Sequence, residues 1–185
     1  QSVQEMYELV VDALHIADKY RNPGVVMGDG YMGQMMEAVE FRDEEKIEHY
    51  EKPWAACGSD MKRDHNVITS IYIEADVLEA HVEKLFAKYK AIEENETRVE
   101  VYNCDDADVI VTAYGTCARV VRNVIKDAAK MGIKVGLIRP ITLWPFPTAA
   151  FEQYASVPKG FLCVEMSKGQ MIEDVKLAVN CKVEV

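Results

Sequence analysis

The second half of the chain alternates short apolar runs with amphipathic stretches. The predicted elements follow one another as strand 108–114, helix 118–131, strand 133–138, helix 148–154, strand 161–164 and a last helix from about residue 169. Strands that alternate with helices predict a parallel sheet, right-handed crossovers and helices on both faces. We therefore expect an α/β domain, with a parallel sheet flanked by helices, over residues 98–185.

The first 41 residues begin with a helical pattern. Ser2 and Glu5 have the spacing of a capping box, and Asn22-Pro23-Gly24 is a stop signal, so a helix is predicted between them. The apolar run Val25–Met27 predicts a short buried strand, and a second helix is predicted from about Gly33. One strand cannot form a sheet by itself, so the predicted strand lacks a partner in this part of the chain.

The middle of the chain, residues 42–97, has a weaker pattern. Charged residues dominate as far as Glu51, and no clear period follows until the apolar run Val67–Ile73, which predicts a short strand. Asp76 is the predicted cap of a long helix that ends in an acidic cluster near Glu96. We expect this region to be a linker that contains one long helix.

The glycine-rich stretch from Gly28 to Gly33 fits two cofactor patterns, G-x-G-x-x-G and Gly-Asp-Gly. A dinucleotide site needs a second strand with an acidic end about 20 residues later, where this chain has the polar stretch His49–Pro53. A thiamine-diphosphate motif needs additional oxygen ligands for Mg²⁺ downstream, and the first later asparagine, Asn66, stands alone. Both cofactor interpretations fail, so the glycines are predicted to let a strand turn sharply into a helix.

Two predicted helix starts are weak candidates for anion binding. Gly115 and Thr116 follow a predicted strand, with Arg119 one turn later, and Gly169 and Gln170 precede the last helix. Backbone amides at a helix N-terminus bind anions, but ordinary capping explains the same residues and is the favoured interpretation.

Other candidate residues lack partners in the sequence. Glu165 and Arg139 follow predicted strands, at the edge where open α/β sheets place ligands and interfaces, but neither has a visible catalytic partner. The four histidines form no H-x-x-x-H pair, so no metal site is predicted. From the residues alone, the chain is predicted to be a soluble α/β module with no assigned catalytic residue.

Composition excludes several classes of function. The net charge of −10 and the lack of a basic patch argue against binding to nucleic acid or to an anionic membrane. The five cysteines form no C-x-x-C pair, so reduced core thiols are expected in place of a zinc site or an iron–sulfur cluster. The chain has neither an apolar run of membrane-spanning length nor a signal-peptide pattern, so a cytoplasmic protein is predicted.

Several long motifs resemble one family in the same order along the chain. They are SVQEMYELVVDALHIADKYRNPGVVMGDGYMGQMMEAVEF (2–41), EENETRVEVYNCDDADVIVTAYGT (93–116), KVGLIRPITLWPFP (134–147) and VEMSKGQMIEDV (164–175). Together they resemble the alpha subunit of 2-oxoacid:ferredoxin oxidoreductases, with the branched-chain, 2-oxoisovalerate type the most similar. The resemblance covers nearly the whole chain.

The resemblance implies an enzyme that decarboxylates a 2-oxoacid, passes electrons through iron–sulfur clusters to ferredoxin and forms an acyl-CoA. It implies the end of a pyrimidine-binding domain over residues 1–41, the linker over 42–97 and a transketolase C-terminal-like domain over 98–185. The family's activating glutamate has no counterpart here, and its diphosphate and Mg²⁺ site and its clusters belong to other subunits. The chain alone is therefore expected to be inactive and to bind no cofactor.

The resemblance also implies partners. Beta-, gamma- and delta-type subunits of the same enzyme are expected as direct partners, and ferredoxin as an indirect one. Formation of a homodimer is a further alternative. Two alternatives are a non-catalytic α/β module that binds CoA or a nucleotide, and a subunit of a transketolase-like or 2-oxoacid dehydrogenase enzyme that does not use ferredoxin.

Overall fold

The computed structural model describes residues 1–43 and 49–185, and a four-stranded sheet forms its centre. The strands are β1 (Val99–Tyr102), β2 (Val109–Thr112), β3 (Val135–Pro140) and β4 (Phe161–Cys163), in the spatial order β1-β3-β2-β4. β2 pairs in parallel with β3 and β4, whereas β1 pairs antiparallel with β3. The predicted α/β class and the three parallel strands are confirmed, and the unpredicted β1 makes the sheet mixed.

Helices cover both faces of this sheet. α3 (Gly115–Lys130) lies on one face, and α4 (Thr148–Tyr154) and α5 (Met171–Ala178) lie on the other. Neighbouring strand residues alternate between the two cores, so Val111 packs with α3 while Ile110 packs with Phe151 and Val175. The apolar strand runs are therefore buried on both sides, as in parallel α/β sheets generally.

Two long helices lie outside the sheet layers. α1 (Val3–Tyr20) begins as predicted, since the Glu5 amide donates to Ser2 Oγ at 3.1 Å, and it ends at Arg21, which has φ 48°. α2 (Ala75–Glu96) follows Glu74 without a side-chain cap. The predicted cap at Asp76 is wrong, because Asp76 lies inside the first turn, where its charge still favours the helix dipole.

Three predicted elements of the first 74 residues do not form. Val25–Met27 is not a strand, the helix predicted from Gly33 is only a 3-10 turn at Met32–Gln34, and Val67–Ile73 pairs with no described strand. Apart from the buried Met32, most of their apolar side chains are exposed, Met36 by 97% and Ile73 by 88%, so little packing stabilises regular structure there. Residues 44–48, part of the predicted charged linker, lie outside the described residues.

Candidate functional site

A cleft of about 620 Å³ lies between the N-terminal segment and the sheet. One side consists of α1 and residues 22–32, and the other consists of the segments that follow β2, β3 and β4. These segments leave the carboxyl ends of three parallel strands, which is the edge where open α/β sheets place their ligands. The cleft is therefore the candidate functional site.

The segment that closes one side of the cleft lies tightly against α1. A methyl group at Gly24 would come within 2.7 Å of the carbonyl oxygen of Ala13, and one at Gly28 within 2.5 Å of Met6 Cε. By contrast, Gly30 and Gly33 face open space. Gly28, Gly30 and Gly33 were predicted to turn a strand into a helix, but neither of those elements forms. Gly24, predicted only as part of the stop signal of α1, allows close approach of the backbone to that helix.

Asp29, the central residue of the Gly-Asp-Gly stretch, lies at the N-terminus of α3. Its Oδ1 accepts a hydrogen bond from the Met32 amide at 2.7 Å, and its Oδ2 lies 3.8 Å from the position that a Cβ on Gly115 would take. The hydrogen bond from the Met32 amide lowers the pKa of Asp29. An anion at Gly115 and Thr116 would therefore meet a carboxylate of the chain itself.

Glu165 has the same arrangement at the N-terminus of α5. Its carboxylate accepts hydrogen bonds from the amides of Gln170, Met171 and Ile172, at 3.2, 3.1 and 3.4 Å, and from Ser167 Oγ at 2.8 Å. Burial favours a higher pKa for Glu165, but the Ser167 hydroxyl and these amides outweigh it and lower the pKa. The amide of the predicted anion-binding residue Gln170 is thus already bonded within the chain, and Gly169 precedes it with φ 97°.

Arg119 was the third residue predicted to contact an anion near α3, but its guanidinium is bonded within the chain. Its Nη1 donates to Glu37 Oε1 at 2.7 Å and to the carbonyl oxygen of Gln1 at 3.2 Å. Glu37 Oε2 in turn accepts from the Val3 amide at 2.9 Å. Arg119 therefore holds the start of α1 against α3.

The Cys117 thiol lies near the carboxylates of Asp29 and Glu165. Burial raises its pKa, and the charges of Asp29 and Glu165 raise it further. Since the thiolate is the reactive form of cysteine, these surroundings make Cys117 a poor nucleophile.

A buried arginine connects α1 with the sheet. Arg139 at the end of β3 is 7% exposed, and it donates to Glu100 Oε2 at 2.7 Å and to Glu5 Oε1 at 2.8 Å. Glu100 also pairs with Arg122 on α3. Burial favours higher pKa values for Glu5 and Glu100, but hydrogen bonds from arginines outweigh burial and lower both pKa values. The network joins α1, β1, β3 and α3.

Three further ion pairs fix the middle and the end of α1. Asp12 accepts from Arg98 Nη1 at 2.5 Å and from Arg42 Nη1 at 2.6 Å. At the end of the helix, Glu96 accepts from Lys19 Nζ and from the Tyr20 hydroxyl, both at 2.8 Å. α1 is thus attached to the rest of the molecule at three points along its length by charged groups.

Some residues that line the cleft are predictable from the sequence pattern, and others are not. Arg139 and Glu165 were identified from their places after predicted strands, and both line the cleft. Glu5, Asp12 and Asp29 were not predicted to line a common cleft, because their partners lie between 3 and 134 positions away along the chain. Within the described residues, no group of three or more His, Cys, Asp or Glu is placed to hold a metal ion.

None of the helices in the described part of the chain has the length and hydropathy required to cross a bilayer.

Two family models match consecutive parts of the chain. Residues 1–101 match "Pyruvate flavodoxin/ferredoxin oxidoreductase, thiamine diP-bdg", and residues 107–185 match "Pyruvate:ferredoxin oxidoreductase core domain II". Among solved structures, the chain resembles a 2-oxoglutarate:ferredoxin oxidoreductase from Magnetococcus marinus that has 2-oxoglutarate, coenzyme A and succinyl-CoA bound. The TM-score is 0.64 at 19% identity, over 94% of this chain and 35% of that chain, so the two share a fold.

Curated relatives point to the same family. Over 182 residues the chain is 46% identical to ketoisovalerate oxidoreductase subunit VorB of Methanothermobacter marburgensis. The matched region covers 98% of this chain and 51% of that protein. Over 189 residues it is 30% identical to 2-oxoglutarate synthase subunit KorA of Archaeoglobus fulgidus, with coverages of 99% and 53%. The chain spans about half the length of the curated relatives it matches. These matches confirm the resemblance found in the sequence, and the chain belongs to the 2-oxoacid:ferredoxin oxidoreductase family.

Proposed function

We propose that the chain is part of the alpha-type subunit of a 2-oxoacid:ferredoxin oxidoreductase. The enzyme would decarboxylate a 2-oxoacid oxidatively, pass the electrons to ferredoxin and form an acyl-CoA. The proposed substrate is 2-oxoisovalerate. The observation that carries this proposal is the 46% identity with ketoisovalerate oxidoreductase subunit VorB over 98% of this chain, against 30% with a 2-oxoglutarate synthase subunit.

We infer three structural parts within the chain. Residues 1–41 are the end of a pyrimidine-binding domain, residues 42–97 are a linker with the helix α2, and residues 98–185 are a transketolase C-terminal-like domain. The mixed sheet between α3 and the α4–α5 layer supports the last assignment. The ion pairs of α1 with Arg98 and Arg139 support a fixed relation between the first part and the last.

We infer that this chain works with other subunits. The curated relatives carry the word subunit in their names, which supports partners in general. Beta-, gamma- and delta-type subunits of the same enzyme are the proposed partners, and ferredoxin is the proposed acceptor of their electrons. A homodimer of this chain is compatible with this subunit composition. The unpaired state of all five cysteines supports a reducing, cytoplasmic location.

Thiamine diphosphate, Mg²⁺ and CoA are the proposed cofactors and co-substrate of the complete enzyme. The Gly-Asp-Gly stretch does not fit an Mg²⁺–diphosphate site, because Asp29 is directed to the Met32 amide and the start of α3. Mg²⁺ also needs several oxygen ligands, and the described acidic residues are not grouped around Asp29 in that way. We therefore assign the diphosphate, its Mg²⁺ and the iron–sulfur clusters to other subunits.

The contribution of this chain is positional. Glu5, Asp12 and Glu96 fix α1 relative to the sheet by ion pairs, and the stretch that follows α1 is packed against it through Gly24 and Gly28. A rigid relation between these parts would hold the carboxyl edge of the sheet at a defined place against the neighbouring subunits. Positioning of this kind accounts for large shares of catalytic rate in enzymes generally.

Activity measurements test the proposal. The purified chain, supplied with 2-oxoisovalerate, CoA, thiamine diphosphate and Mg²⁺, should give no reduction of methyl viologen. The enzyme purified through a tag on this chain, with its other subunits, should reduce viologen and ferredoxin, with a higher kcat/KM for 2-oxoisovalerate than for 2-oxoglutarate.

Two results would contradict the proposal. Turnover by the chain alone would show that it needs no partner. Reduction of NAD⁺ without ferredoxin by the assembled enzyme would instead identify a 2-oxoacid dehydrogenase type of subunit.

A further inference from the structure

The helix α2 carries an apolar stripe along its whole length. Apolar positions that recur at alternating spacings of three and four residues form the face by which one helix pairs with another. On α2 these positions, called here the α2 stripe, are Ala75, Leu78, Val82, Leu85, Tyr89 and Ile92. The sequence of α2 therefore has the pattern of a helix that packs through this face.

Among the described residues, tight packing of the α2 stripe is confined to its C-terminal end. Ile92 is 3% exposed, and the ring of Tyr89 lies edge-on to Trp144 at a centroid distance of 5.8 Å. Leu78 and Val82 are instead 44% and 38% exposed, and every residue from 73 to 80 is exposed. A helical stretch of about 12 residues without tertiary packing is marginally stable in water, so the N-terminal half of α2 is suited to a partner.

Further exposed apolar side chains lie beside the α2 stripe. Tyr72 stacks on His81 with ring centroids 4.2 Å apart, which places the end of the segment 67–73 against α2. Eight apolar residues of this surface are between 38% and 88% exposed: Val67, Ile68, Ile71, Ile73, Val77, Leu78, Val82 and Phe86. Their exposed surface is on the order of the 800 Å² that each partner contributes to a standard protein interface.

The charges of α2 indicate which partner fits this surface. Residues 74–83 contain four carboxylates and neither Lys nor Arg, whereas residues 84–90 contain three lysines and no carboxylate. A second α2 in antiparallel orientation places its basic stretch beside the acidic stretch of the first, and two-fold symmetry repeats this pairing. A parallel second copy would place carboxylates beside carboxylates. The charge pattern is therefore complementary to itself in the antiparallel orientation.

We propose that the N-terminal half of α2 pairs antiparallel with the same helix of a second copy of this chain. The α2 stripe from Leu78 to Leu85 forms the centre of the contact, and Phe86 and the segment 67–73 lie at its edges. This goes beyond the reaction proposed above and does not depend on it, because self-association is measured without substrate.

Sedimentation velocity of the purified chain tests the proposal. The parent should show a reversible monomer–dimer equilibrium. Val82→Glu places a charge in the middle of the contact and should weaken dimerisation about tenfold or more, which is a change of about 1.4 kcal/mol. Ala80→Glu is the matched control, because it adds the same charge at an exposed position on the opposite face of the same helix. It should leave the dissociation constant unchanged.

An exchange of charges tests the antiparallel orientation. The double variant Glu79→Lys/Glu83→Lys removes carboxylates that face the partner's lysines, so it should dimerise more weakly than the parent. The double variant Lys84→Glu/Lys90→Glu should also dimerise more weakly. An equimolar mixture of the two should recover the dimer, because the mixed dimer restores opposite charges across the contact. Parallel pairing predicts no weakening of the first variant, since like charges would face each other in the parent as well.

A second variant keeps the test decisive if Val82→Glu does not fold. Phe86→Ala removes a ring that is 65% exposed, so circular dichroism should stay that of the parent while dimerisation weakens. A monomeric parent, or folded Val82→Glu and Phe86→Ala variants that dimerise like the parent, would overturn the proposal. A chain that binds another subunit through these residues but not a second copy of itself would overturn it too. None of these results decides the reaction, which the viologen assay tests separately.

Discussion

At the scale of single residues, the space beside a glycine predicts the effect of a methyl group. Gly24→Ala places a Cβ within 2.7 Å of the Ala13 carbonyl oxygen, which belongs to the backbone of α1 and cannot move alone. We expect a loss of about 1–3 kcal/mol in the free energy of unfolding. Gly30→Ala is the matched control, since its Cβ meets open space, and it should change stability by less than about 0.5 kcal/mol. Urea unfolding measures both, and equal losses would contradict the packing role of Gly24.

The Glu165 carboxylate gives a second residue-scale prediction. It caps α5 through three amides and its pKa is lowered, so it contributes stability above its unfolded pKa of 4.5 that is lost as pH falls through the folded pKa. Glu165→Gln should lower the free energy of unfolding by about 1 kcal/mol at pH 7, as loss of a helix cap does. The loss should be smaller below about pH 4, where the carboxyl of the parent protein becomes protonated. Urea unfolding at several pH values measures this.

Glu173→Gln is the matched control for that measurement. Glu173 lies in the first turn of the same helix but is exposed and makes no capping contact with the amides that Glu165 holds. Its loss should cost less than about 0.5 kcal/mol, the value of a surface charge near a helix N-terminus. If both variants lose the same stability, the capping role of Glu165 is wrong.

At the scale of elements, the attachment of α1 depends on carboxylates more than on burial. No residue of α1 is fully buried, and its ion pairs use the carboxylates of Glu5, Asp12 and Glu96. The pKa of each of these carboxyls is lowered, so their contribution is complete above the unfolded values of 4.5 and 3.8 and is lost as pH falls below them. We expect acidification to release α1 before the sheet unfolds.

Hydrogen exchange followed by mass spectrometry, corrected for intrinsic exchange rates, measures this release. Peptides from 3–20 should lose protection at a higher pH than peptides from 109–112 and 135–140. Asp12→Asn removes the charge that pairs with Arg42 and Arg98, so its α1 peptides should be less protected already at pH 7. Loss of protection by α1 and the sheet at one common pH would contradict separate attachment.

At the scale of the whole molecule, the sequence predicts what local pattern determines. The strands β2, β3 and β4 and the helices between them were predictable, because their apolar runs are buried in the same domain that contains them. β1 was missed because its four residues form a short edge strand with a half-exposed pattern. The strand predicted at Val25–Met27 and the helix predicted from Gly33 do not form, because side chains such as Val25 and Met36 are 81% and 97% exposed and gain nothing from packing there.

The candidate site was less predictable than the fold. Arg139 and Glu165 could be identified because the strand ends position them, but their partners depend on tertiary contacts over up to 134 positions of sequence. No spacing rule shows that Asp29 lies at α3 or that α1 faces the sheet edge. These facts follow only from the packing of the complete chain.

Exposed apolar residues between Val67 and Ile73 lead to a last prediction about the whole molecule. Val67, Ile71 and Ile73 are 82%, 74% and 88% exposed, so they bury little area and contribute little to the free energy of unfolding. Clusters of such residues favour association with other apolar surfaces. Replacing all three by Ser should leave the unfolding free energy within about 0.5 kcal/mol and should reduce self-association of the purified chain in sedimentation velocity.

Ile92→Ser is the contrasting variant, because Ile92 is 3% exposed against the rest of the molecule. It should lose about 2–4 kcal/mol of stability, since a core side chain is removed and a hydroxyl is buried in its place. A large loss of stability in the triple variant would mean that residues 67–73 pack within the chain itself. Unchanged stability with less self-association instead identifies this stretch as surface available to another polypeptide, which agrees with a role as one subunit among several.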